Sequence, residues 1–138
     1  MRKVIVVVDG QGGGLGGRIV QRLKPSLPAG TEIVALGTNA LATAQMMKAG
    51  ADRGASGENA VAHTVTSASV ILGSLAIVMP NSMLGELTTK MAEAILGSPA
   101  DKLLLPVNNE GMRVIGVCKD PLSSLLDDLC KEAIKTVS

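Results

Sequence analysis

The chain has 138 residues, of which 46% are hydrophobic, and 13 basic against 12 acidic side chains give a formal net charge of +1. This composition predicts one domain, spanning residues 1–138, with enough apolar material for a core. The balanced charge and the lack of any Phe, Tyr or Trp argue against a nucleic-acid partner, which requires a basic surface and aromatic platforms for bases.

The first predicted elements are a strand and a glycine-rich loop. Val4–Val8 is an uninterrupted apolar run, which is typical of a strand buried on both faces of a parallel sheet. Six glycines occupy the eight positions from Gly10 to Gly17, and those at 12, 14 and 17 satisfy the GxGxxG spacing. Because glycine loses so much backbone entropy on folding, the cluster indicates close approach of bare amides to a phosphate. The alternative is a glycine turn without a ligand.

An amphipathic helix is predicted directly after the loop, since Leu15, Ile19, Leu23 and Leu27 recur every four residues. The positive N-terminal end of this helix would face the same anion. We therefore expect the loop to bind a nucleotide. The residues predicted to bind this cofactor are Gly10, Gln11, Gly12, Gly13, Gly14, Leu15 and Gly16 of the loop, with Asn39, Asn81 and Ser82 from later segments.

The second strand bears on which nucleotide binds. In dinucleotide-binding folds, an acidic residue about 20 positions after the glycines ends this strand and holds a ribose diol. Here the strand at residues 32–36 is followed by Gly37, Thr38 and Asn39. NAD or NADP is the expected cofactor, but no carboxylate selects NAD and no nearby arginine selects a 2′-phosphate.

The remaining pattern alternates strands with helices. Helices are predicted at 41–49, 58–67, 83–96 and from Asp120 onward, and strands at 51–56, 70–73 and 102–107. The composition of residues 108–111 is typical of a hairpin turn, so 113–118 is expected to return as an antiparallel edge strand. The predicted fold is a doubly wound α/β sheet of order 3-2-1-4-5 with that edge strand added, in one three-layer domain.

A ligand crevice is expected where the carboxyl ends of the first and fourth strands meet. Residues 81–86 are predicted to begin the fourth helix and form its second wall, with Gly85 marking a close approach to the backbone. Asp9 is expected to brace the glycine loop. The candidate lining residues are Asp9, Gln11, Asn39, Glu58, Asn59, Ser74, Asn81, Ser82, Glu86, Asn108 and Asn109.

Catalysis, if there is any, would use few groups. The weak catalytic candidates are Asp9 and Glu86, with Glu58 as a third acid that could transfer a proton. His63 is predicted on the solvent side of its helix, and it forms no zinc-ligand spacing with Cys118 and Cys130, so no metal site is expected.

Several segments together carry a resemblance to a family. VDGQGGGLG, followed by ALGTNALAT, AGADRGASGENA, SMLGELTTKMAEAI and KLLLPVN, resembles an uncharacterised family of short bacterial Rossmann-like proteins, a domain of unknown function. That resemblance implies a Rossmann-like fold and no assigned activity. The glycine loop alone is similar to that of short-chain dehydrogenases, which use a tyrosine and a lysine four residues apart, whereas this chain contains no tyrosine.

The expected setting is the cytoplasm. The longest apolar stretch, 70–79, is interrupted by Gly73 and Ser74 and falls short of the about 20 residues that cross a membrane. The first residues do not resemble a signal peptide, so none is expected, and Cys118 and Cys130 are expected to be buried free thiols.

Two classes of function follow. The chain is either a small nucleotide-dependent enzyme, such as an oxidoreductase, or a non-catalytic nucleotide-sensing or structural protein. We also expect a homo-oligomer, because Val70–Leu84 is apolar and its Met79 and Met83 should lie near the surface.

Overall fold

The apolar run near the start of the chain forms the central strand of a parallel sheet. The strands of the computed structural model, which describes residues 2–108, 110–117 and 119–138, are β1 (Lys3–Asp9), β2 (Thr31–Gly37), β3 (Arg53–Ser56), β4 (Val70–Ser74) and β5 (Asp101–Leu105). They lie in the order β3-β2-β1-β4-β5, and every neighbouring pair is parallel. The predicted strand order is therefore confirmed.

Helices cover both faces of this sheet. They are α1 (Gly14–Leu23), α2 (Ala40–Lys48), α3 (Glu58–Thr64), α4 (Thr89–Gly97) and α5 (Leu122–Val137). Alternation along β1 explains the two layers, because Ile5 and Val7 pack toward α1, α2 and α5, whereas Val6 and Val8 pack toward α3 and α4. The chain is a single α/β domain with a Rossmann-like doubly wound sheet.

The predicted antiparallel edge strand is wrong. No strand is present in residues 110–117, and β5 is the edge of the sheet in the part of the chain described. Gly116, inside the predicted strand, has a φ angle of 90°, which an extended strand does not adopt. Asn109 and Cys118, which belonged to the predicted turn and strand, lie outside the described residues.

The predicted start of the fourth helix is also wrong. The helix begins at Thr89, after Thr88 caps it by accepting a hydrogen bond from the Met91 N–H at 3.1 Å. Leu84, which lies within the predicted helix 83–96, is outside the observed helix and is 98% exposed. A short 3-10 helix, Leu75–Val78, follows β4. Residues 79–88 then form a connection that we call the crossing loop, because it contacts the glycine loop on its way to α4.

The crossing loop contains a strained turn. Met83 and Leu84 have φ angles of 58° and 57°, and the Gly85 N–H donates to the Ser82 carbonyl at 3.2 Å. Two successive left-handed residues closed by such a bond form a turn of the I′ kind, which strongly prefers Asn and Gly. Gly85 itself has a φ of 90°, so its own turn conformation accounts for a glycine at that position.

Candidate functional site

The carboxyl ends of three strands border a cavity of about 580 Å³. Its walls come from the glycine loop after β1, from the end of β4 and the crossing loop, and from the segment after β5. The lining residues are Asp9, Gly10, Gln11, Gly12, Gly13, Gly14, Leu15, Ser74, Ala76, Asn81, Met83, Leu84, Val107, Asn108 and Glu110. The cavity therefore lies at the switch point where α1 and α4 leave the sheet on opposite faces.

Asp9 braces the glycine loop, as predicted. One carboxylate oxygen accepts the Gly10 N–H at 2.8 Å, and the other accepts the Gly16 N–H at 2.6 Å. Burial raises the pKa of Asp9, while the two backbone N–H groups oppose that rise and the nearby Glu86 charge adds to it. The carboxylate thus fixes both ends of the loop from beneath.

Packing explains three of the glycines in this loop. A methyl group on Gly10 would lie 2.6 Å from the Thr38 hydroxyl, and one on Gly13 would lie 2.7 Å from the Ala42 carbonyl oxygen. A methyl group on Gly16 would lie 2.8 Å from the Cβ atom of Asp9. At Gly13 and Gly16 the neighbouring atom is a backbone or Cβ atom, so the fold itself requires glycine there. At Gly10 the close atoms belong to side chains, so glycine is needed as long as Thr38 and Met83 keep their positions.

Gly12 and Gly14 are different. A methyl group at either position would meet no atom within 4 Å, and neither residue has a positive φ. Alanine would cost less backbone entropy at both positions. Packing and backbone conformation within the described chain therefore give no reason for these two glycines.

The same stretch carries free backbone donors. In the described parts of the chain, the N–H groups of Gly12, Gly14 and Leu15 have no acceptor, whereas the neighbouring Gly13 N–H donates to the Gly10 carbonyl at 2.9 Å. All three free groups belong to residues that line the cavity. They lie at the N-terminus of α1, where the helix carries a partial positive charge.

Glu86 ties the crossing loop to two other loops. Its Oε1 atom accepts three hydrogen bonds: from the Gln11 N–H at 2.8 Å, the Thr38 hydroxyl at 2.6 Å and the Asn39 side-chain amide at 2.7 Å. The Thr38 hydroxyl and then the Gln11 N–H lower the pKa of Glu86, because they stabilise its ionised form. We call this set of contacts the Glu86 clamp.

Asn39 has a structural role on the same side of the loop. Its side-chain oxygen caps α2 by accepting the Ala42 N–H at 2.8 Å, and its amide also donates to the Gln11 carbonyl at 3.0 Å. Neither Asn39 nor Glu86 lines the cavity. The structure therefore brings them together at the end of β2, where both contact the Gln11 backbone but neither borders the cavity.

The other predicted residues divide between the cavity and the fold. Ser74, Asn81 and Asn108 line the cavity, but the Ser82 hydroxyl is buried and donates to the Ala76 carbonyl at 2.7 Å. Glu58, at the start of α3, does not line it. Asn59, on the same helix, is exposed and also does not line the cavity, and Asn109 lies outside the described residues.

Sequence reasoning missed Glu110 as a lining residue. Its Oε1 atom accepts the Met83 N–H at 3.1 Å, which joins the segment after β5 to the crossing loop across the cavity. Its place in the segment that follows the fifth strand is the signal that could have identified it, but the hairpin interpretation of residues 108–111 assigned it to a turn. Asp9 and Glu110 are the charged residues among those that line the cavity, and both are acidic.

The remaining titratable candidates lie elsewhere. His63 is exposed, as predicted, and Cys130 is a half-buried free thiol whose pKa burial raises to about 11. Within the described ranges, no three His, Cys, Asp or Glu side chains form a group that could hold a metal ion. None of the helices described here has the length and apolar character that crossing a membrane would require.

The fold and the cavity together define a Rossmann-like α/β domain with a glycine loop at the switch point of its sheet. The family described as a domain of unknown function (DUF3842) matches residues 4–138, and the chain belongs to that family. The resemblance to an uncharacterised family is thereby confirmed. The chain has no match among curated proteins or solved structures.

Proposed function

We propose that this protein binds a nucleotide and holds its phosphate at the N-terminus of α1. The observation that carries the proposal is the coincidence of free N–H groups with glycines that the fold does not require. Gly12, Gly14 and Leu15 supply the donors, and the missing side chains at Gly12 and Gly14 leave room for a ligand beside them. The glycine spacing favours NAD or NADP among the nucleotides.

The charges around the cavity set the expected strength of binding. Asp9 and Glu110 repel a phosphate, and no lysine, arginine or histidine is among the lining residues described. Attraction then comes from main-chain hydrogen bonds to a charged group, each worth roughly 1.5–3 kcal/mol, and from the helix dipole. We expect dissociation constants on the order of micromolar to millimolar rather than nanomolar.

The contacts of the two candidate catalytic acids favour a protein that binds its ligand without catalysis. Asp9 accepts two loop N–H groups, and Glu86 accepts three donors on one oxygen. A proton transfer by either acid would disrupt contacts that fix the loop. We therefore propose a nucleotide-sensing or nucleotide-storing protein, with a nucleotide-dependent enzyme as the alternative.

Amide correlation NMR of nitrogen-labelled protein tests the proposal directly. Titration with NAD, NADP, ATP, FMN and AMP should shift the Gly12, Gly14 and Leu15 signals in a saturable way. The amides of Gly50 and Gly97, which lie outside the cavity lining, serve as internal controls. If no nucleotide shifts the loop amides at millimolar concentration, the proposal is wrong.

We further propose that the protein acts as a homo-oligomer in the cytoplasm. Leu84 and Ile115 are 98% and 95% exposed, and Val107, Met112, Val114 and Val117 are also exposed near the segment after β5. Exposed apolar residues that lie close together support an interface between copies. Most of the exposed apolar residues lie in the segment after β5. Within Val70–Leu84, the stretch from which the oligomer was predicted, Leu84 is the one large apolar residue that is exposed.

A further inference from the structure

The end of β2 is the place where this site departs from a dinucleotide site. A dinucleotide lies across the switch point, with its pyrophosphate on the glycine loop and one ribose held by an acidic residue at the end of the second strand. Such a ligand needs open space on both sides of the loop. The contacts of the crossing loop decide whether that space exists here.

The Glu86 clamp occupies the β2 side. Glu86 contacts Thr38 and Asn39, the two polar residues that follow β2, so their hydroxyl and amide donors are already engaged. Met83 lies so close to Gly10 that a methyl group there would come within 2.5 Å of the Met83 sulfur. The space after β2, where a dinucleotide would place the ribose that the acidic residue holds, is therefore occupied by the side chains of Glu86 and Met83. We call this space the second ribose position.

The cavity extends in the other direction. Its described lining residues follow β1, β4 and β5, and none follows β2 or β3. The Asn108 side chain is already engaged, because its oxygen accepts the Glu110 N–H at 3.0 Å and its amide donates to the Met112 carbonyl at 3.2 Å. Beyond the free amides, the cavity offers polar groups on Ser74 and Asn81, and apolar surface on Met83 and Val107. The polar groups can hydrogen-bond the hydroxyl groups of a sugar, and the apolar surface can pack against the flat face of a base.

We propose that the site takes a nucleoside monophosphate, with the phosphate at Gly12–Leu15 and the nucleoside directed toward the ends of β4 and β5. This inference rests on the proposed function, and it favours a monophosphate over the NAD or NADP that the glycine spacing alone would indicate. A monophosphate also suits the charges better than ADP, ATP or NADP, because Asp9 and Glu110 line the cavity without a compensating cation and would repel each further negative charge. The pyrophosphate of NAD carries about the same charge as the phosphate of AMP, so the expected preference over NAD comes from the occupied space after β2. Glu110 can accept a hydrogen bond from a ribose hydroxyl or a base amine.

A ligand series separates this inference from the proposed function. In the NMR titration, AMP and GMP should shift Gly12, Gly14 and the amides of Ser74 and Asn108, and should bind at least about tenfold more tightly than NAD, NADP or ADP. Ribose 5-phosphate and inorganic phosphate should bind more weakly than AMP, because they lack the base.

Four outcomes are distinct. Equal or tighter binding of NAD, with shifts at Thr38, Ser56 and Gly57, would overturn the monophosphate inference and leave the proposed function intact. Ribose 5-phosphate binding as tightly as AMP would overturn the nucleoside assignment. No shift of the loop amides with any of these compounds would overturn the proposed function, and this inference with it. The expected order of affinities would support both.

Opening the clamp provides a second test. Glu86→Ala should raise the affinity for NAD relative to AMP by about tenfold, because it removes the side chain that fills the second ribose position. Thr38→Val, which removes one donor of the clamp, should raise the same ratio less. Glu93→Ala, at an exposed position of α4, is the matched control. An unchanged ratio in both clamp variants, each shown by NMR to be folded, would overturn the inference.

Discussion

Two carboxylates hold the glycine loop from opposite sides, and they differ in how far their roles could be predicted. Asp9 is next to the glycines in sequence, so its contact with the Gly10 N–H is local and the brace could be predicted. Glu86 reaches the Gln11 N–H across 75 positions of sequence. No periodicity or spacing reports such a contact, because it depends on how the crossing loop folds over the sheet.

The first residue-scale prediction concerns Gly14. Gly14→Val should abolish nucleotide binding, because its branched side chain would fill the space beside the free amides, while no protein atom lies within 4 Å of the new Cβ atom. The melting temperature should therefore change by only a few degrees. Isothermal titration calorimetry and thermal unfolding measure the two effects.

Gly97→Ala is the matched control for this variant. It also places a Cβ atom where no atom lies within 4 Å, but at the end of α4 and outside the cavity lining. It should leave binding unchanged. Normal nucleotide binding by Gly14→Val would show that the phosphate lies elsewhere.

Asp52 carries a second residue-scale prediction. Its pKa lies below its ordinary value of 3.8, chiefly because it accepts the Ile33 N–H and then because of Lys24. A lowered pKa means that the unfolded chain binds the proton more readily, so stability from Asp52 is present above pH 3.8 and is lost as the pH falls through its folded value. Asp52→Asn should therefore be less stable than the parent at neutral pH.

The difference between the two proteins should shrink as the pH falls below 3.8. Urea unfolding at a series of pH values measures it, and Asp101→Asn serves as the control for loss of an exposed carboxylate. A stability difference that stays constant down to the acid range would contradict the assignment of the lowered pKa to folding contacts.

At the scale of elements, long apolar runs predicted the strands well, while the crossing loop escaped prediction. Leu87, Met91 and Ile95 are buried and follow helical spacing, so the pattern extends backward through Leu84. The helix nevertheless starts at Thr89, because the Ser82 hydroxyl is anchored to the Ala76 carbonyl and the left-handed turn after it stops any helix. A buried side-chain bond of this kind leaves no periodic signal.

The strained turn leads to an element-scale prediction. Leu84 has a φ of 57° and is 98% exposed, so its side chain offers little packing in return for the strain. Leu84→Asn should raise the free energy of unfolding by about 0.5–1 kcal/mol, because Asn adopts the left-handed conformation more easily. Urea unfolding measures the change.

The control is Leu41→Asn, at an exposed position in the first turn of α2, where Asn is a poorer helix former and should lower stability slightly. Equal destabilisation by both substitutions would show that the turn at Leu84 is not strained. If the asparagine variant is more stable but binds nucleotide or partner less well, the leucine serves function at the expense of stability.

At the scale of the whole molecule, the handedness of β-α-β crossovers was enough to predict the strand order, but not where the sheet ends. The predicted sixth strand had the right apolar composition and lacks the right backbone, since Gly116 has a φ of 90°. Position in the sheet follows from general rules of topology. The edge depends on individual glycines, whose conformation a sequence pattern does not report.

The absence of that edge strand leads to a prediction about assembly. The residues meant to pair with β5 instead expose Ile115, together with Val114 and Val117. Sedimentation equilibrium at tens of micromolar should give a dimer mass, and Ile115→Lys should weaken self-association at least about tenfold, because a charge replaces an exposed apolar side chain.

Leu41→Lys provides the matched control, because Leu41 is an exposed leucine on α2, on another part of the surface. It should leave the association constant unchanged. A monomer mass for the parent protein across this concentration range would show that the exposed apolar residues serve another purpose.

The division of the loop glycines into two groups also concerns descent within the family. Backbone or Cβ atoms of the chain itself require Gly13 and Gly16, and the side chains of Thr38 and Met83 require Gly10, so a descendant that keeps the fold and these side chains must keep all three glycines. Under our proposal, only the ligand requires glycine at positions 12 and 14. A lineage that lost the ligand would drift to alanine or serine at these two positions while retaining the other three, and its sequence would record the loss.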